Sequence, residues 1–217
     1  MPNELLFLLQ SIFLLGSTLG AFCISERLLQ ILICVQVICA NLFIVKTMPL
    51  CGLHACGGGM YIVGSMFGLL LLQRFASKGL AEETLKLSVL FSLFFVCMAL
   101  FQLWYNPAVS DASHYHFYVL LSRVPRATIS SLFAHTVSHA CSLYISRFVG
   151  GPLSLLCGQG IDSALFFTGT FIGLMPVVQI GELILVSLLL KGVMVALSSA
   201  ILFALERRKK QEREHRV

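Results

Sequence analysis

The sequence predicts an all-α polytopic membrane protein with about seven transmembrane helices. Of its 217 residues, 58% are hydrophobic and 12% are charged, and the mean hydropathy is +0.91. Soluble domains carry about 25% charged residues, so this chain lacks the charge that a soluble globule needs to cover its surface. The same composition excludes a coiled coil, a disordered chain and a secreted disulfide scaffold.

Seven apolar runs are long enough to cross a bilayer as helices. A hydrocarbon core of about 30 Å requires roughly 20 residues of helix, and lipid offers no partner to an unpaired backbone N–H or C=O group. The alternating pattern of a membrane barrel does not occur in the sequence. The predicted spans cover residues 5–24, 28–46, 56–73, 87–104, 126–147, 152–174 and 178–205.

The first run is predicted to be a retained helix and not a signal peptide. Residues Met1–Glu4 contain no Lys or Arg, whereas a signal peptide begins with positive charge. Phe22, which precedes Cys23, is too large for a lipoprotein cleavage site. We therefore expect three parts, which are an extra N-terminal helix over 1–25, a six-helix core over 26–206 and a basic cytoplasmic tail over 207–217.

The distribution of Lys and Arg predicts the orientation of the bundle. Cytoplasmic loops of membrane proteins carry an excess of basic residues. With seven spans, the N-terminus outside and the C-terminal tail inside, most of the 15 basic residues fall on the inside. Six spans would leave Arg74, Lys78 and Lys86 outside. Because the basic charge is explained by topology, we expect no nucleic-acid partner.

Glycine spacing predicts close contacts between helices. Small residues four positions apart let two helices approach each other. Glycines also interrupt the starts of the third and sixth runs, at 57–59 and 150–151. The candidate pairs are Gly16 with Gly20, Gly64 with Gly68 and Gly169 with Gly173.

The most informative polar residues share one helix face in the sixth run. An ionisable side chain near the centre of a membrane costs about 2.5–3.5 kcal/mol, so it indicates a functional site. Gln159 precedes Asp162 by three residues and Phe166 follows it by four, which places them on one face. Such a face suits a flat ring whose edge bonds the amide and carboxylate while Phe166 stacks. Alternatively, Gln159 and Asp162 hold helices together, with Lys191 as the ion-pair partner.

A second hypothesis is a membrane-embedded metal-binding protein or metal enzyme. His135 and His139 are four residues apart and could chelate a metal, but a site needs further ligands. The segment Cys51-x-x-His54-x-Cys56 offers three ligands, and its two cysteines are the ones placed to form a disulfide. The sequence contains no signature of ATP hydrolysis, serine hydrolysis or zinc proteolysis. We therefore expect no enzyme activity, no metal and no cofactor.

One segment of the sixth run carries a family pattern. Gly158–Phe167, followed by Phe171-Ile172-Gly173, contains Gln, Asp three residues later, then Phe and Phe-x-Gly. Supporting matches are Ala40-Asn41, the segment that Arg126 opens, and Lys191. Over about three-quarters of its length the chain thus resembles the queuosine precursor transporter family. That family belongs to the vitamin uptake transporters and is similar to the substrate-binding components of ECF importers, which implies the six-helix core preceded by one extra helix.

The chain departs from that family at two positions that line the ligand. The family often repeats Gln-x-x-Asp in the preceding helix, where this chain has His139 and Ser142. A second family acid falls at Leu69, and a further polar position falls at Gln73. Fewer carboxylates make a cationic aminomethyl-deazaguanine a poorer fit, so a larger or less charged base such as queuine becomes a candidate.

The resemblance implies import of a 7-deazaguanine queuosine precursor, or a queuine-like base, across the bacterial inner membrane for tRNA modification. Asp162 would accept hydrogen bonds from the ring N1–H and the exocyclic amine of the base. The expected partners are this nucleobase and the lipid bilayer, while docking of an energising ATPase module and the oligomeric state stay open. The implied substrate-binding residues are Asp162, Gln159, Phe166, His139, Asn41, Arg126, Lys191 and Gln73.

Overall fold

The computed structural model describes residues 2–77, 79–108, 110–145 and 151–193, without the side chains of 139–140, 142–143 and 151–156. These residues are mostly helical and include one small antiparallel hairpin. The helices are α1 Asn3–Ile24, α2 Glu26–Phe43, α3 Gly59–Phe75, α4 Leu80–Trp104, α5 His114–Leu121, α6 Val124–Ile145, α7 Gly151–Phe171 and a last helical stretch, α8, over 177–193; the strands are β1 Thr47–Leu50 and β2 Leu53–Cys56.

Each of the seven predicted runs coincides with one long helix, so the all-α membrane class is confirmed. Among the described residues, α1, α2 and α4 are each long and apolar enough to cross a membrane, and α3 is apolar with 17 residues. The end of the last run, 194–205, and the basic tail lie outside the described residues. The division into an extra helix, a core and a tail stays a prediction.

The hairpin between α2 and α3 is an element that the seven-run prediction did not contain. β1 and β2 pair in register through a two-residue turn of Cys51 and Gly52, whose φ angles are +51° and +81°. Two positive φ angles give a turn whose twist matches that of the paired strands. Consequently the third run begins its helix only at Gly59.

α1, α2 and α3 pack around an apolar cluster, here called the N-terminal cluster. A side chain on Gly68 would meet Ile33 Cγ1 at 2.7 Å, and one on Gly64 would meet Gln36 Oε1 at 3.0 Å. This predicted glycine pair is therefore confirmed as a close contact of α3 with α2. The buried apolar members of the cluster are Ala21, Leu29, Ile33, Phe67, Leu71 and Leu72.

The other two glycine pairs behave differently. A side chain on Gly16 or on Gly20 would meet nothing within 4 Å, so the close helix contact predicted at this pair is wrong among the described residues. A side chain on Gly169 would meet Ser130 Oγ at 2.8 Å, which shows how closely α7 approaches α6. Gly173 lies just beyond α7 with φ +79°, the left-handed conformation that commonly ends a helix.

α6, α7 and α8 form a second apolar cluster together with the hairpin, here called the C-terminal cluster. The Phe167 ring packs on the Phe171 ring at 6.2 Å between centroids, and Ile44 and Cys56 bring the end of α2 and β2 into the same core. Its buried members are Ile44, Cys56, Ala127, Ala134, Phe166, Phe167, Phe171, Ile180 and Leu183. This cluster fixes α7 against α8, where the candidate site lies.

Hydrogen bonds join several elements at one end of the bundle. Asn3 Nδ2 donates to Pro49 O at 3.0 Å, and Cys51 N donates to Glu4 Oε1 at 3.1 Å. Both bonds tie the start of α1 to the hairpin. This end of the bundle, which also contains the start of α8, is called the hairpin end.

Glu182 ties the hairpin to the start of α8. The His54 amide donates to Glu182 Oε2 at 3.0 Å, and His54 Nδ1 lies 2.7 Å from the same oxygen. At the opposite end, the rings of Phe22 and Phe75 lie 6.0 Å apart, which joins the ends of α1 and α3. The helices therefore run alternately up and down between the hairpin end and the opposite end.

Candidate functional site

Two charged side chains meet between α7 and α8. Lys191 Nζ donates to Asp162 Oδ2 at 2.8 Å. The Lys191 side chain is 9% exposed and that of Asp162 is 24% exposed. Each charge is costly to bury alone, and a close pair offsets much of that cost. The alternative interpretation predicted an ion pair between Asp162 and Lys191, and the structure contains it.

Ser163 is a second partner of Lys191 that the sequence reading missed. Lys191 Nζ donates to Ser163 Oγ at 2.8 Å, and the hydroxyl oxygens of Ser163 and Ser187 lie 3.4 Å apart. Ser187 precedes Lys191 by four residues and so shares its face of α8. That spacing is a signal from which these serines could have been found. Ser163 thus helps to hold the ammonium group in position, and Ser187 in turn contacts Ser163.

The ion pair lies halfway along its helices. Asp162 is eleven residues after Gly151 and nine before Phe171, which corresponds to about 14–17 Å from either end of α7 at 1.5 Å per residue. Lys191 follows Glu182, at the hairpin end, by nine residues, or about 14 Å. Half of a bilayer core is about 15 Å. The two charges therefore match the middle of a membrane in depth.

Gln159 places a buried hydrogen-bond acceptor one helical turn from Asp162. Its Oε1 is buried, and none of the described residues donates a hydrogen bond to it. An unsatisfied buried acceptor costs about 1–3 kcal/mol. Asp162 and Gln159 share a face of α7, so a carboxylate and a buried amide oxygen lie one helical turn apart. Both are acceptors that suit the N–H donors of a ligand.

Phe166 lies one turn from Asp162 toward the hairpin end. It is 7% exposed and belongs to the C-terminal cluster, where its ring centroid is 5.1 Å from that of Phe167. Protein side chains therefore cover this ring. Stacking of Phe166 on a ligand stays a prediction, and it requires the covering side chains to move.

Arg126 is placed away from the ion pair. Its Nε donates to Gly169 O at 2.9 Å and its guanidinium also donates to Ile172 O at 2.6 Å. These bonds satisfy carbonyl groups at the end of α7, as basic groups at a helix C-terminus commonly do. Gly169 is seven residues, or about 10 Å, along α7 from Asp162. A direct contact of Arg126 with substrate stays a prediction.

The remaining predicted residues lie at different levels of the bundle. Asn41 is buried near the hairpin end of α2, whereas Gln73 is exposed near the opposite end of α3. The side chain of His139 lies outside the described residues. The structure thus brings together Asp162 and Lys191, with Gln159 and Phe166 each about one helical turn from Asp162 on α7, and places Asn41, Arg126 and Gln73 at other levels.

The residues of the metal hypothesis do not form a metal site where they are described. No group of three His, Cys, Asp or Glu side chains in the described ranges could hold a metal ion. His54 instead contacts Glu182, and Cys51 and Cys56 are free thiols, with Cys51 exposed in the turn and Cys56 buried. The disulfide considered for these two cysteines is therefore not formed. His135 is exposed on α6.

Comparison with known families identifies a transporter family. The family model described as “Putative vitamin uptake transporter” matches residues 57–205, which is more than half of the chain. The matched range includes α3–α8 and both charges of the ion pair, and it excludes α1, α2 and the hairpin. Comparisons with curated proteins and with solved structures gave no significant match.

Proposed function

Because the chain belongs to the vitamin uptake transporter family, we propose that it imports a 7-deazaguanine queuosine precursor or a queuine-like base. Family membership and the apolar helices support a membrane transporter for a small molecule. The identity of the base, its use in tRNA modification and the bacterial inner membrane as location are parts of the proposal. Docking of an energising ATPase module remains open within it.

The acceptor pair at mid-depth is the observation that carries the proposal. A guanine-type edge presents its ring N1–H and its exocyclic amine as two parallel donors. The Asp162 carboxylate can accept both, and the buried Oε1 of Gln159 can accept a further donor. A ligand that donates to Gln159 would remove the cost of an unsatisfied buried acceptor. The site therefore favours a flat donor-rich ring over an anion.

Lys191 has a defined role in this mechanism. Its ammonium group contacts the Asp162 carboxylate and offsets the cost of placing that group at mid-depth. The second bond, from Lys191 to Ser163, holds the ammonium while the carboxylate binds the base. Binding and release thus require no net charge to enter the membrane with the base.

Orientation follows from the charges at the ends of the bundle. Three basic residues lie away from the hairpin end: Arg27 at the start of α2, Arg74 at the end of α3 and Lys86 near the start of α4. Basic residues favour the cytoplasmic side. We therefore place the hairpin end outside and the opposite end in the cytoplasm, with the N-terminus outside and the C-terminus inside.

Binding by the purified full chain tests the proposal. The panel contains guanine, the nitrile and aminomethyl 7-deazaguanines, queuine and hypoxanthine, which lacks the exocyclic amine. We expect at least one deazaguanine or queuine to bind more tightly than hypoxanthine by isothermal calorimetry. Asp162→Asn should weaken that binding roughly 10- to 150-fold, because hydrogen bonds to a charged group are worth about 1.5–3 kcal/mol.

Glu182→Gln is the matched control for Asp162→Asn. It removes a carboxylate that contacts His54 at the hairpin end and not the ion pair, so it should leave the affinity for the base within about twofold, the size of effect expected of a distant change. Absence of binding to every base in the panel would refute the proposed substrate class. Equal binding by Asp162→Asn and the unchanged chain would remove Asp162 from the site.

A further inference from the structure

Five aromatic residues are exposed around the end of α4 and on α5. Trp104 and Tyr115 are 73% and 70% exposed, and the other three are each more than half exposed. None of these side chains carries a charge, and none belongs to the candidate site. We call this set the aromatic rim, and its members are Trp104, Tyr105, Tyr115, Phe117 and Tyr118.

The length of α4 sets the depth of the rim in a membrane. Lys86 lies in the second turn of α4 and Trp104 is its last residue. Trp104 follows Lys86 by eighteen residues, which corresponds to about 27 Å of helix and is close to the thickness of a bilayer core, about 30 Å. With Lys86 at one water boundary, Trp104 reaches the other. Between them α4 exposes a run of large apolar side chains, and the polar Gln102 is exposed only in its last turn; the apolar ones are Leu90, Phe91, Leu93, Phe94, Met98 and Phe101.

α5 continues this surface beyond the membrane core. With eight residues it is too short to cross a bilayer. Its start is fixed because Asp111 Oδ1 accepts hydrogen bonds from the amides of Ser113 and His114 at 2.9 and 3.1 Å. The Ser113 hydroxyl and these amides hold the pKa of the Asp111 carboxyl below its usual range. Leu121 is buried against the protein, which leaves the aromatic side chains of α5 outward.

We infer that the aromatic rim inserts into the boundary between lipid headgroups and acyl chains at the hairpin end. Tyr, Trp and similar rings combine an apolar body with a polar tip, and they accumulate at this boundary in membrane proteins. The occupant is lipid because Trp104 continues the apolar, exposed surface of α4, with its ring centroid 5.6 Å from that of Phe101. α5 thereby lies along the membrane surface and fixes the height of α4 and α6. This inference is independent of the transported substrate.

The sequence contains a single tryptophan, so Trp104 fluorescence reports the depth of the rim directly. The full chain is reconstituted in phosphatidylcholine vesicles whose acyl chains are brominated at shallow, middle or deep positions. We expect the shallow bromines to quench Trp104 most and aqueous iodide to quench it weakly. In Trp104→Phe/Tyr118→Trp, the reporter lies on α5 and should show the same order.

Trp104→Phe/Phe94→Trp is the depth control. Phe94 is ten residues, or about 15 Å, before Trp104 on α4, so the deep bromines should quench it most. Strong iodide quenching of Trp104 or of the Tyr118→Trp reporter would place the rim in water and overturn the inference. Strongest quenching of Trp104 by the deepest bromines would also overturn the inference, because it would place the ring in the bilayer core. So would the absence of quenching by both bromine and iodide, because protein would then cover the ring.

Discussion

Separating Asp162 from Lys191 tests whether the ion pair is as buried as the structure has it. Asp162→Asn leaves the Lys191 ammonium, 9% exposed, without a counter-charge. Removing one partner of a buried pair costs about 3–5 kcal/mol, because the remaining charge is uncompensated. For a chain of 150–250 residues, about 2–4 °C of melting temperature corresponds to 1 kcal/mol. We therefore expect Asp162→Asn to lower the melting temperature by roughly 6–20 °C.

The two single substitutions should lower stability by different amounts, and the double substitution should lower it only slightly. Lys191→Met leaves a carboxylate that is 24% exposed and therefore less buried than the Lys191 ammonium, so the loss of stability should be smaller than that caused by Asp162→Asn. Asp162→Asn/Lys191→Met leaves no buried charge and should recover much of the stability. We expect a coupling energy of about 3 kcal/mol, the upper end for residues in contact.

Thermal unfolding of the four chains in one detergent, followed by far-ultraviolet circular dichroism, measures this cycle. Glu182→Gln serves as the comparison for loss of a more exposed carboxylate, whose partner His54 is itself 40% exposed on its side chain. Additive single and double losses would refute the reasoning, because they would show that the two charges do not interact. Single variants with the same melting temperature as the unchanged chain would also refute it.

Two further predictions concern packing and helix ends. Gly68→Ala should lower the free energy of unfolding by about 1–3 kcal/mol, because the added carbon meets Ile33. Gly20 has open space around it, so Gly20→Ala should be neutral or stabilising by up to about 1 kcal/mol. Equal melting temperatures of the two variants would contradict the close contact at Gly68. Arg126→Met should lower the free energy of unfolding by about 1–3 kcal/mol, because it leaves carbonyls of α7 unpaired. Loss of affinity at full stability would instead indicate that Arg126 contacts the substrate.

The long helices could be predicted from the sequence because bilayer thickness imposes one length on each apolar run. The hairpin could not, since β1 and β2 have four residues each and lie between two apolar runs. Four residues are too few to distinguish a period of two from the continuation of a helix. The decisive feature is the turn, where Cys51 takes a positive φ that most side chains avoid.

The middle of the candidate site could be predicted because Asp162 and Gln159 share one helix face, and an unpaired charge in lipid demands a partner such as Lys191. The outlying residues came from the family resemblance, which names positions without giving their depth. Asn41 and Gln73 stand near the ends of their runs, so counting residues from those ends already separates them from Asp162. The bond of Arg126 to α7 depends on how α6 and α7 pack, which no local pattern encodes.

Two unrelated kinds of observation agree on whether the number of crossings before α8 is even or odd. The starts of α1 and α8 both lie at the hairpin end, because Glu4 and Glu182 both contact the hairpin. An even number of long helices must therefore separate those two starts, and six do, from α1 to α7 without the short α5. This parity uses hydrogen bonds alone, whereas the distribution of Lys and Arg uses charge alone. Had one apolar run failed to cross, α8 would begin at the opposite end and Glu182 could not reach His54.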